Sequence, residues 1–253
     1  MLRIIFRFLG ILLTLMLSCM PVQLAGAYNN ADLERVRAGA SCPEGDLSGA
    51  DLSGMDLSGR DFHGTNFREA RLRGTKLNKA QLQGTDFHAA LMVKTQLRQA
   101  QLQGADLSLS SMQDTDLTNA DLQGANLYRT QLLKAQLLNA QLQQAKGEGV
   151  SCSYVNADYA DFSGSQLPDS WFVGSSLQNA VFTGSNLQRA RFQNAKLKRA
   201  DLQKAELAKV NLRGADLSEA NLDGANLRGV DLRDADTTFA VFGNAVQDDL
   251  LWK

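Results

Sequence analysis

From residue 47 onward one spacing governs this chain. Leu47, Leu52, Leu57 and Phe62 open a series in which every fifth residue is large and apolar. A helix buries residues at spacings of three and four, and a strand at two. Five fits neither. Of the forty positions five apart from 47 to 242, thirty-six are Leu, Phe or Met, the exceptions being Gly147, Cys152, Ala157 and Thr237. The residue two places earlier is small, as at Ala50, Thr65, Ala70 and Thr75, with Val at 150, 155, 210 and 230 and only Met55 and Arg60 large. Between the two lies a polar residue, mostly Asp, Asn or Gln, as at Asp46, Asp51, Asn66 and Gln81. Two side chains of each unit, two residues apart, therefore seek burial on one face of extended backbone. The chain must then turn a corner, where Ser48-Gly49, Ser53-Gly54 and Asn119 supply turn residues. Stacked coils of such units bury the large residues in one continuous column, as repeat proteins do.

A second period is consistent with four sides. From Phe162 to Leu197 the large position alternates strictly between Phe and Leu. A ten-residue alternation suits opposite sides of a four-sided coil, twenty residues per turn. Phe162 is then expected beneath Phe182, Phe172 beneath Phe192, and Phe67 beneath Phe87.

The units "ADLSG", "ANLYR", "ADLQK" and "ANLDG" resemble the pentapeptide repeat family, A-(D/N)-L-x-x, over about residues 45 to 245. The resemblance implies an all-β solenoid, a right-handed four-sided parallel β-helix. About ten coils at one strand spacing each make a rod on the order of 50 Å long. The start of the chain resembles exported members of the family from cyanobacteria, which reside in the periplasm or thylakoid lumen. Many of these carry a second Cys directly before the first Asp; here that residue is Gly45.

Four segments follow. Residues 1–27 read as a signal peptide: Arg3 and Arg7, an apolar run from Phe8 to Met20, and a small-residue site at Ala25-Gly26-Ala27. Residues 28–44 read as an N-terminal cap with a short helix between 28 and 40, Asn30 as its cap residue and Leu33 and Val36 on one face. Residues 45–242 are the repeat, in which 143–159 is either a poorly filled coil or an extruded loop. Residues 243–253, with denser apolar content, read as a C-terminal cap, a dimer contact being the alternative.

Formal net charge is −1, and −3 once residues 1–27 are removed. Neither value provides the basic footprint of a nucleic-acid binder or the acidity of a DNA mimic. The expected partner is protein, with no nucleic acid, no membrane after signal cleavage, and a monomer or end-to-end dimer as the assembly. Cys42 and Cys152 are five and a half coils apart, roughly 26 Å, beyond the reach of a disulfide, so free thiols are expected. The Asp/Asn ladder from Asp46 reads as corner-bonding side chains rather than a metal site. His63 and His88 are solvated and too far apart to share an ion. No catalytic, cofactor or metal residues are expected. Trp171 replaces the usual polar residue, with Arg191 one coil on; both are candidate partner-binding residues, the alternative for Trp171 being packing beneath a 143–159 loop. The function expected is a non-enzymatic exported scaffold, a DNA-mimicking topoisomerase inhibitor being the disfavoured alternative.

Overall fold

Almost every five-residue unit closes on a β-turn, the unit at 147–150 being an exception. In the first, the Ala50 N–H donates to the Leu47 carbonyl at 3.0 Å, and Gly49 has φ of 69°. Positive φ at the third turn residue is what a type II turn requires, and Gly supplies it without a Cβ penalty. Further along, bulkier residues are held at the same place, among them Lys79 at 59° and Ala89 at 56°. Ala89→Gly is therefore expected to stabilise the fold by about 1 kcal/mol, read as a higher urea midpoint.

The computed structural model describes residues 28–252. Every fifth residue from Asp46 to Asp231 forms a parallel bridge with the residue twenty places on. The Leu47 N–H donates to the Asn66 carbonyl at 2.8 Å and the Asn66 N–H to the Gly45 carbonyl at 2.9 Å, and the same pair of bonds recurs up the chain. A stride of twenty divided by a unit of five gives four sides. They are named here by their first bridge residues: Asp46 opens the first side, Asp51 the second, Asp56 the third and Asp61 the fourth.

The large and small positions form one core running the length of the rod. Phe162 stacks on Phe182 at 4.7 Å between ring centroids, Phe172 on Phe192 at 4.7 Å, and Phe67 on Phe87 at 5.1 Å. Rings on opposite sides meet edge-on, Phe162 to Phe172 at 5.9 Å and Phe172 to Phe182 at 6.0 Å. Parallel offset and edge-on contacts are the favoured aromatic geometries. Thr is tolerated at the small position because its hydroxyl finds a partner: Thr75 donates to the Leu52 carbonyl at 2.8 Å and Thr95 to the Leu72 carbonyl at 2.7 Å. The Ser165 and Ser185 hydroxyls are buried with no such partner. Ser185→Ala should thus stabilise by about 1 kcal/mol while Thr75→Val costs about as much, both read from thermal melts.

Residues 143–159 take the coil and not the extruded loop. Lys146, Ser151 and Asn156 bridge to Asn126, Gln131 and Gln136 on one side and to Gln166, Trp171 and Ser176 on the other. The small residues at the large positions leave little void. A Cβ on Gly147 would lie 2.8 Å from the Leu127 carbonyl carbon and 2.8 Å from Val150 Cγ2. The Val at 150 thus fills the space that a Leu at 147 would otherwise take. Trp171 accordingly has no loop above it.

Helix α1, Asn30–Arg37, covers the first coil with Leu33 and Val36 buried in the rod core. Its cap is Asn29, one residue before the expected Asn30, whose extended backbone lets the side chain accept from the Ala31 N–H at 2.9 Å. The Asp32 carboxylate accepts from the Asp46 N–H at 3.0 Å and the Ser41 hydroxyl from the Asp61 N–H at 3.0 Å. Both satisfy donors of the otherwise open strand edge. At the other end the expected cap at 243–253 does not fold over the rod. Phe242 and Trp252 still fall on the five-residue frame, and the bridges Asn226 to Val246 and Asp231 to Leu251 carry the ladder on. Phe239, Val241, Leu251 and Trp252 are left exposed there.

Candidate docking surface

The outward polar position is mostly consumed by the scaffold. An Asp or Asn there accepts from the N–H two residues on, as Asp46 does from Ser48 at 3.1 Å, Asp61 from His63 at 3.0 Å and Asn126 from Tyr128 at 3.1 Å. Asn66 and Asn126 also donate down the first side to Asp46 and Asp106, each at 3.0 Å. Such side chains fix corners. Among the described residues no cluster of three His, Cys, Asp or Glu is placed to hold a metal ion.

These bonds hold several carboxylates below their ordinary range. The backbone N–H of His63 lowers Asp61, the Arg233 guanidinium lowers Asp231, and the Thr238 hydroxyl lowers Asp236. A carboxylate depressed in the folded state adds stability that is complete above its unfolded value, near 3.8 here, and is lost as pH falls through the folded value. The melting temperature should therefore hold from pH 7 to about 5 and drop progressively below about 4. A melting temperature that rises below pH 4 would contradict these corner bonds.

The second side departs from this pattern. Its ladder from Arg71 reads Leu91, Ser111, Gln131, Ser151, Trp171 and Arg191, with no Asp or Asn. The opposite, fourth side carries Asp61, Asp121, Asp161 and Asp201 and no base from Asp61 to Asp201. Among the described residues, the large apolar side chains exposed along the rod before its last coil are Leu91, Leu109, Tyr128, Tyr154, Tyr159 and Trp171. All but Tyr159 lie on the second side or at its two corners. The Arg191 guanidinium sits 5.3 Å from the Trp171 ring centroid and Arg129 5.2 Å from that of Tyr128, both cation–π contacts.

Between these residues the surface is hollowed into a cavity of about 570 Å³, with Arg129, Gln131, Leu133, Glu148, Ser151 and Trp171 among its walls. It exists because side chains are short at two places, Gly149 at the corner and Ser151 on the ladder, where neighbouring coils carry Arg129 and Gln131. Asp169, also on its wall, is already held by Arg189 at 2.8 Å.

Trp171 and Arg191 are thus in contact, as their one-coil separation requires, and Leu91, Leu109, Tyr128, Arg129 and Tyr154 join them on a face that the reading of single residues missed. Cys42 and Cys152 are free, buried thiols. Burial pushes the Cys152 thiol up to about 12, and burial followed by the Asp32 carboxylate raises Cys42, so neither is an activated nucleophile. The two His stand apart, His63 bonded to Asp61 at 2.8 Å and His88 to Ser108 at 2.8 Å.

A sequence model described as pentapeptide repeats matches residues 46–82, 80–119, 110–146, 160–199 and 195–234. The stretch it passes over, 147–159, includes Glu148, Gly149 and Ser151 of the hollow. Among solved structures, the chain is similar to HetL, a pentapeptide repeat protein involved in heterocyst differentiation regulation from the cyanobacterium Nostoc sp. strain PCC 7120. The two are 29% identical with a TM-score of 0.61, over 87% of this chain and 94% of HetL. A thylakoid lumen pentapeptide repeat protein from Arabidopsis thaliana is 38% identical over 34% of this chain and 56% of its own, with a TM-score of 0.20. QnrB1, a plasmid-mediated fluoroquinolone resistance protein, is 19% identical over 80% of this chain and 89% of its own, with a TM-score of 0.35. No curated protein sequence matches significantly.

Proposed function

The chain belongs to the pentapeptide repeat family, and from that premise we propose that it is a non-enzymatic, exported scaffold whose rod presents its sides to another protein. The rod is a right-handed coil of about ten turns, roughly 50 Å long, with α1 closing its first end. The observation that carries this reading is the second side. On the first and fourth sides the outward Asp and Asn residues bond their own corners, whereas on the second side and its corners apolar and aromatic side chains are turned to solvent on a rigid wall. Patches of that kind on a soluble surface mark interaction sites. Export is supported by the two Arg, the apolar run and the small-residue site within residues 1–27, which lie outside the described residues. A DNA mimic would need strong acidity, which a net charge of −1 does not provide.

The test is a photo-crosslinking residue placed singly at one outward position of each side, Gln166, Gln131, Ser176 and Gln141, in cells of the native organism. Adducts from at least one side, on a chain whose mass begins at Tyr28, are the expected result. A full set of four folded variants with no adduct would refute the scaffold reading, and an intact 253-residue mass would refute cleavage after Ala27.

A further inference from the structure

We infer that the second side between Leu91 and Arg191 is a docking site for an acidic protein segment that carries apolar anchor residues; this rests on the scaffold reading above. Its first support is charge. Between Leu91 and Arg191 the second side and its two corners hold five Arg or Lys against three Asp or Glu, and the flanking coils from Arg68 to Arg213 add five more bases and one acid, in a chain whose net charge is −1. Of those acids, Asp169 is held by Arg189 at 2.8 Å, while Glu148 shares the wall of the hollow with Arg129. Several of the bases are unspent. Among the described residues, Arg71, Arg73, Lys94, Arg129, Lys134 and Arg191 make no ion pair within 4.0 Å. A partner that brought carboxylates would find them free, and complementary charge sets both encounter and register.

The second support is shape. The hollow of about 570 Å³ is walled by Leu133 and Trp171 and floored by the short Ser151 and Gly149. That volume lies within the range of ligand-binding clefts and admits an aromatic or Leu side chain. Val93, Leu133 and Val173 recur at one corner every forty residues, so apolar contacts continue along the rod on both sides of the hollow.

The third is what the backbone forbids. Between residues 71 and 191 the second side bridges to a coil above and a coil below at every step. No strand edge is open, so a partner segment cannot add to the sheet. Recognition has to run through side chains: an apolar anchor beside Trp171, with carboxylates reaching Arg129, Lys134, Lys94 and Arg191. Leu91 and Trp171 are four coils apart, about 19 Å, which six extended residues would span.

The probe is a phage-displayed library of random 12-residue peptides, selected on the purified protein. The expected outcome is convergence on peptides with Asp or Glu flanking Trp, Phe or Leu, whose binding weakens as salt rises. Trp171→Ala should weaken a selected peptide at least tenfold. Ser151→Gln should do the same by filling the hollow, and it keeps the fold because Gln already stands on this ladder at Gln131. The double charge reversal Lys134→Glu with Arg191→Glu should abolish the preference for acidic sequences. Selection of peptides without acidic residues, no enrichment at all, or binding untouched by Ser151→Gln would each overturn the site. Crosslinks to a protein through another side alone would also overturn it, while leaving the scaffold reading intact.

Discussion

Phe172→Ala should destabilise the fold by about 3–5 kcal/mol, among the largest single-residue losses in the rod. The ring is fully buried, lies against Phe192 at 4.7 Å, and meets Phe162 and Phe182 edge-on at 5.9 and 6.0 Å. Its removal leaves a cavity that the stacked coils, tied by backbone bonds at every side, cannot collapse. In a solenoid each repeat contacts only its neighbours, so the damage should be local. Amide exchange at residues 162–192 is expected to rise before the coils near α1 are affected. Urea unfolding followed by circular dichroism measures the total, and a loss below about 1 kcal/mol would show that the Phe column is not the stable centre of the rod.

Gly147→Leu should cost about 3 kcal/mol or more, although the five-residue beat alone would place Leu there. A Cβ at this position meets Leu127 backbone atoms at 2.8 and 2.9 Å and Val150 Cγ2 at 2.8 Å. The glycine is required by space, not by its backbone angle. Adding Val150→Ala should restore only part of the loss, because it frees the Val150 contact and leaves that with Leu127. A Gly147→Leu variant as stable as the parent would mean that this coil is loosely filled, as its sequence first suggests.

These two sites show what the sequence made legible. A burial rule that depends on one residue type in each unit can be read by counting. The frame from Leu47 to Phe242 follows from a spacing of five, and the alternation of Phe and Leu is consistent with the four sides and the Phe stacks that the structure has. Compensation between different positions cannot be read that way: Val150 filling for Gly147 is a contact between two side chains in three dimensions. The same limit applies at the ends. Asn29 and Asn30 are equally good cap residues by type, and only the turn of the chain selects Asn29. The apolar density of 243–253 suggested a lid, yet Phe242 and Trp252 keep the frame and the ladder simply continues.

The docking face was half visible. Trp171 and Arg191 stand out singly, and a stride of twenty begun at Asp46 shows only the regular Asp/Asn side. The same stride begun at Asp51 gives Arg71, Leu91, Ser111, Gln131, Ser151, Trp171 and Arg191. Corner residues join that face only when the turn geometry is known, which is why Leu109, Tyr128 and Tyr154 looked scattered. The hollow itself is made of missing side chains, at Gly149 and Ser151, and absence carries little signal in a repeat where every unit varies.

The division of labour in the rod is therefore spatial. Outward Asp and Asn residues bonded to their own corners keep the coil rigid, and the exposed apolar and aromatic side chains gathered on the second side and its corners are left for a partner. The most direct test compares Ser151→Gln with Asn156→Gln, which place the same residue one side apart on the same coil. Both side chains are half-buried and lie outside the core; Ser151→Gln should melt within about 2 °C of the parent, and Asn156→Gln somewhat lower, since it gives up the bond accepted from the Asp158 N–H at 3.3 Å. Titrated calorimetrically with a peptide selected on the parent, Ser151→Gln should bind at least tenfold more weakly and Asn156→Gln with unchanged affinity. Equal affinity for the two variants would contradict the assignment of function to the second side.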